Sequence, residues 1–87
     1  MVTELRGGRM AADVNAIIAG LGGAANIIDI EPCITRLRTE VHDVSKVDQA
    51  ALKAAGVHGV MAAGNVVQVV VGPEADTIAS DIEDIIG

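Results

Sequence analysis

The chain has no phenylalanine, tyrosine or tryptophan among its 87 residues, so its core must come from Val, Ile, Leu, Met and Ala. The platforms on which single-stranded nucleic acid stacks are therefore absent. Positive charge is scarce too. Six basic residues against twelve acidic ones give a net charge of −6, which argues against the basic stripe of a nucleic-acid binder. One cysteine leaves no partner for an internal disulfide and points to a reducing compartment. Two histidines, distant from that cysteine and from each other, lack the spacing of a zinc site, and neither metal nor cofactor is expected. No apolar run approaches the roughly 18 residues of a membrane-spanning helix. Met1 to Gly8 has no apolar stretch of the signal-peptide kind.

What is present is the composition of a folded domain, 51% apolar and 21% charged. The length suits one domain. A chain of this size buries about 60–68% of its unfolded surface, which leaves a thin stability margin. Residues 1–9 are polar and glycine-containing and are expected to form a flexible segment ahead of a domain over 10–87. Met10, Val14, Ile17, Ile18 and Leu21 recur at helical spacing, and Gly22-Gly23 supplies the stop. Asn26 to Ile30 reads as a strand, broken at Glu31-Pro32-Cys33 because proline lacks an amide donor. Ile34 to Val41 reads as a second strand. Alternation puts Thr35, Leu37, Thr39 and Val41 on one face and Ile34, Arg36, Arg38 and Glu40 on the other.

Ser45 and Asp48 resemble a capping box opening a second helix, whose face is Val47, Ala51, Leu52 and Ala55. Val60 to Ala63 and Val66 to Val71 flank Gly64-Asn65, a dipeptide suited to a tight hairpin. After Gly72-Pro73-Glu74, a last helix shows Ala75, Ile78, Ala79, Ile82, Ile85 and Ile86 on one face. The order helix, hairpin, helix, hairpin, helix predicts an α+β open-faced sandwich. Three helices cover one face of a four-stranded antiparallel sheet, and Arg36 and Arg38 lie on the open face.

The run Cys33-Ile34-Thr35-Arg36-Leu37-Arg38 concentrates the chemistry. A thiol reacts as its thiolate, and neighbouring positive charge favours that form. The same two guanidinium groups grip a phosphate through forked, charge-assisted hydrogen bonds. Amides of a turn at Ile34 and Thr35 suit an anion-binding nest. From the residues alone, the first reading is a thiol that carries a phosphoryl group. The second is a cysteine that only packs, within a small binding module. A thiol redox role lacks a resolving cysteine. His42 and His58 have no neighbouring base or ligand, and Asp76, Asp81, Glu83 and Asp84 read as a solvated helix face. Met10 and Met61 read as core filling, and Ser45 as a helix cap.

Three stretches together resemble a known family. Asn26-Ile27, the cysteine hexapeptide and Asp43-Val44-Ser45-Lys46-Val47-Asp48-Gln49, continued through Gly56, Gly64, Gln68 and Gly72, are similar to the enzyme IIB domain of the bacterial phosphoenolpyruvate-dependent sugar phosphotransferase system, in its glucose and N-acetylglucosamine branch. The resemblance runs from about Ala11 to the C-terminus and implies the same sandwich fold. It implies that Cys33 accepts a phosphoryl group from a phosphohistidine of a IIA protein and donates it to a sugar, glucose or N-acetylglucosamine, moving through the IIC permease. It matches Arg36 and Arg38 to the arginines needed for onward transfer, Ile34, Thr35 and Gln68 to the phosphate site, and Glu31 to an acidic residue in the loop before the cysteine. The resemblance implies a IIA protein or domain and a IIC permease as partners; the sequence shows neither segment, as either a free-standing polypeptide or a domain of a longer chain would. The implied location is cytoplasmic, at the inner face of the membrane through the permease.

Overall fold

A computed structural model describes residues 13–87. The expected flexible segment over 1–9 and the contribution of Met10 to the first helix lie outside the described residues. In chain order the elements are α1 (Val14–Gly20), β1 (Ile27–Cys33), β2 (Arg36–Val41), α2 (Gln49–Ala54), β3 (Gly59–Ala63), β4 (Val66–Val70) and α3 (Ala75–Ile86). Short 3-10 turns cover Ala24–Asn26 and Val44–Lys46. The sheet order is β1-β2-β4-β3 and every neighbouring pair is antiparallel. The three helices cover one face, as their apolar spacing requires. Ile17, Leu21, Leu52 and Ile82 are wholly buried against Leu37, Val41, Val67 and Val69 of the sheet. Aliphatic side chains thus supply most of the core, with Thr39 wholly buried on the same face of β2.

The helices start on carboxylates. Asp13 accepts from the Ala16 amide and caps α1, and Asp48 accepts from the Ala51 amide and caps α2. Ser45 does not cap α2. It lies in the 3-10 turn, where Asp43 accepts from both its amide and its hydroxyl. Asp48 has a side chain one carbon shorter than the glutamate a capping box uses, and it takes the cap position itself. α1 and α2 cross closely at Gly20, where an added Cβ would sit 2.8 Å from Leu52 Cδ2. On α3, Ala75, Ile78, Ala79 and Ile82 are buried as expected, whereas Ile85 is turned to solvent.

Two departures from the sequence reading shape the sheet. β1 runs through Pro32 to Cys33 instead of ending before Glu31. It is an edge strand, so a residue without an amide donor costs it no ladder bond on its free side. Asn26 precedes the strand and is buried. Its side-chain amide donates to the carbonyls of Leu21, at 2.7 Å, and Asp43, at 3.0 Å, and its oxygen accepts from the Asp43 amide. One asparagine therefore ties the end of α1 to the exit of β2. Gly64, at φ 60°, starts the two-residue turn between β3 and β4, as the Gly64-Asn65 dipeptide led one to expect.

Candidate functional site

The register of the sheet places the cysteine hexapeptide. Cys33, the last residue of β1, pairs with Arg36, the first residue of β2, so Ile34 and Thr35 alone make the turn. The second strand thus begins two residues later than alternation suggested. Directly opposed residues in a ladder share a face. Cys33, Arg36, Val70 and Gly59 form one row across the open face, and Glu31, Arg38, Gln68 and Met61 form the next. Five of the seven residues singled out from the sequence lie in these two adjacent rows, and the other two are the turn itself. Met61, expected in the core, is on this open face and half-exposed.

The thiol of Cys33 is exposed, at the end of the sheet where a partner can reach it. Ile34 beside it is 88% exposed and has φ 58°. A β-branched residue in left-handed space is a strained outlier, a state that costs of order 1–3 kcal/mol. The turn is anchored from behind, since the Thr35 carbonyl accepts from the amides of Val71 and Gly72 at 2.9 and 2.8 Å. Neither the Ile34 amide nor the Thr35 amide donates to a backbone acceptor among the described residues.

Each arginine has a different partner. Arg36 Nη1 donates to Gln68 Oε1 at 2.9 Å, across from β2 to β4. Arg38 Nη1 lies 3.8 Å from Glu31 Oε1, with both side chains more than half exposed. Glu31 is therefore not a loop residue. It stands on β1, opposite Arg38 and two residues before the thiol. The Gln68 amide holding Arg36 and the strain at Ile34 were not foreseen; the strain leaves no mark in the sequence, because isoleucine suits a strand. His42 and His58 are exposed, and His58 stands beside Gly72 at the turn end of the sheet. Asp76, Asp81, Glu83 and Asp84 are exposed on α3. Among the described residues no cluster of three potential metal ligands occurs.

The comparison that decides the family is with the "PTS system N-acetylglucosamine-specific EIIB component" of Streptomyces coelicolor (strain ATCC BAA-471 / A3(2) / M145). The two are 60% identical over 75 residues, spanning 86% of this chain and 97% of the relative. The chain belongs to the EIIB family of the phosphotransferase system. A sequence model of that family, described as phosphotransferase system, EIIB, matches residues 15–48, which include the hexapeptide. The EIIB fold is independently matched by the crystal structure of one domain of the PTS system IIabc component from Clostridium difficile. The TM-score is 0.70 at 24% identity, covering 85% of this chain and 79% of that one. As an EIIB component, the protein is a protein-phosphocysteine–sugar phosphotransferase acting in phosphoryl transfer during sugar uptake. Among the described residues of this EIIB, no helix is long and apolar enough to cross a membrane.

Proposed function

We propose that Cys33 is the residue that carries the phosphoryl group, between a phosphohistidine of a IIA protein and N-acetylglucosamine held by a IIC permease. The observation that supports it best is the pairing of an exposed thiol with two guanidinium groups on one open sheet face. In the first step the thiolate sulfur attacks phosphorus. An S–P bond forms, the N–P bond of the phosphohistidine breaks, and the imidazole nitrogen leaves with the electron pair. In the second step a sugar hydroxyl attacks the same phosphorus, the S–P bond breaks, and the sulfur departs as thiolate. The hydroxyl proton passes to a base held with the sugar.

Such transfers are accelerated by positioning and by neutralising charge on the phosphoryl oxygens. Phosphorylation adds about −1.5 to −2 charges, by analogy with phosphoserine. Arg36 is the ladder partner of Cys33 on the adjacent strand and Arg38 lies one row away, so both stand on the open face from which a guanidinium can offset that charge. The free amides of Ile34 and Thr35, with the Thr35 hydroxyl, supply donors on the turn side. The sugar assignment follows the Streptomyces relative's name, with glucose as the alternative of the same branch. A working place at the inner face of the membrane follows from the permease as partner.

Intact-mass measurement after incubation with phosphoenolpyruvate, the general phosphocarriers and the cognate IIA protein tests the assignment. One phosphoryl group is expected on the wild type and none on Cys33→Ser. An unchanged wild-type mass beside a phosphorylated IIA would refute it. Permease-containing membranes supplied with labelled N-acetylglucosamine or glucose then separate the two sugars.

A further inference from the structure

The arginines of the site are held unequally. Arg36 is fixed by a neutral amide, that of Gln68, which leaves its positive charge uncompensated. Arg38 instead forms a loose, exposed ion pair with a carboxylate, that of Glu31, at 3.8 Å. Glu31 also lies two residues before Cys33 on a regularly paired stretch of β1, where Glu31, Pro32 and Cys33 face Arg38, Leu37 and Arg36 in turn. Its side chain thus shares a face with the thiol, about 6–7 Å along the strand. A phosphoryl group on Cys33 would have Arg36 directly opposite, Arg38 diagonally opposite and the Glu31 carboxylate on its own strand. An anion placed beside a dianion raises that dianion's free energy, and it competes for the same guanidinium.

We infer that Glu31 is a positioning residue that keeps the phosphocysteine a ready donor. It holds Arg38 while the thiol is empty and resists giving it up when the phosphoryl group arrives. Arg36 supplies the constant part of the anion site, and the Glu31–Arg38 pair supplies an adjustable part. Removing the Glu31 charge should make the phosphocysteine too stable, favouring acceptance from IIA and disfavouring release to sugar. The inference rests on Cys33 being the phosphoryl carrier.

The next anions on the open face, Asp29 and Glu40, face each other one row further from the thiol. Glu40→Gln therefore makes the same charge change at greater distance and serves as the control. The experiment mixes phosphorylated IIA with equimolar wild type, Glu31→Gln, Glu31→Asp or Glu40→Gln, and reads both phosphorylated fractions by intact mass at equilibrium. Exposed ion pairs are worth about 0.2–1 kcal/mol, so Glu31→Gln should shift the equilibrium about 1.4- to fivefold toward phospho-Cys33. Glu31→Asp should behave as wild type and Glu40→Gln should shift less. Phosphorus NMR titration should show a lower second pKa of the phosphocysteine in Glu31→Gln, a change that a merely structural role would not produce. An unchanged equilibrium in folded Glu31→Gln, or an equal shift in Glu40→Gln, would overturn the inference while leaving Cys33 as the carrier. Failure of the wild type to take up a phosphoryl group at all would remove the carrier reading, and this inference with it.

Discussion

Arg36 and Arg38 leave the same strand two residues apart, and nothing in their spacing tells them apart. Their partners do, one an amide on β4 and the other a carboxylate on β1. Lysine at either position keeps the charge but loses the planar fork that spans two phosphoryl oxygens. For Arg36→Lys and Arg38→Lys we expect Cys33 still to be labelled by IIA, while sugar phosphorylation falls by roughly tenfold, the equivalent of one lost charge-assisted hydrogen bond. Normal rates of sugar phosphorylation in both variants would refute these roles. At this scale much was legible. Alternation put Arg36 and Arg38 on one face, and the hexapeptide drew attention to Cys33. Asn26 was not legible as a structural tie, because its partner Asp43 lies 17 residues away and a buried amide looks like any turn asparagine in sequence.

Among the elements, the β1–β2 hairpin combines the candidate site with strain. A two-residue turn with a left-handed first position suits glycine or asparagine, yet Ile34 occupies it. Ile34 is almost wholly exposed, so removing its side chain loses little burial. Ile34→Gly should relieve more strain than it adds backbone entropy, raising unfolding stability by about 0.5–1 kcal/mol, and it should slow phosphoryl exchange by loosening the turn that carries the thiol. Urea denaturation and the exchange rate check both halves, and a destabilised Ile34→Gly would show that the turn is not strained. The last helix and the Gly64-Asn65 hairpin were legible because periodicity and turn chemistry agreed. The end of β1 at Pro32 was not legible, because the penalty for proline depends on whether a strand is an edge, and strand order is a tertiary fact. The cap of α2 is ambiguous in sequence for a similar reason. Asp43, Ser45 and Asp48 all suit a helix start, and only the folded turn selects between them.

The molecule as a whole carries an excess of carboxylates, and one of them ties acid stability to a local turn. The Ser45 hydroxyl, then the Ser45 amide, donate to Asp43 and, with a smaller contribution from Lys46, hold its carboxyl below the ordinary carboxylate range against a slight desolvation effect. A carboxyl whose pKa is lower in the folded state binds its proton more readily when unfolded. Its contribution is therefore complete above the unfolded value of 3.8 and disappears as pH falls through the lower folded one. Replacing it by Asp43→Asn should flatten the loss of stability between pH 5 and pH 2, about the acid range that linkage predicts for such a group. Denaturant midpoints measured across that range check this, and an identical acid profile in the variant would count against it. A last consequence follows from where the sulfur stands. With helices behind the sheet and one thiol at its rim, the proposed carrier role would bring phosphoryl donor and acceptor to a single atom from the same side, so that they take turns. Turnover on that proposal is a ping-pong cycle, and the expected outcome is that surplus dephosphorylated IIA slows sugar phosphorylation by occupying the rim.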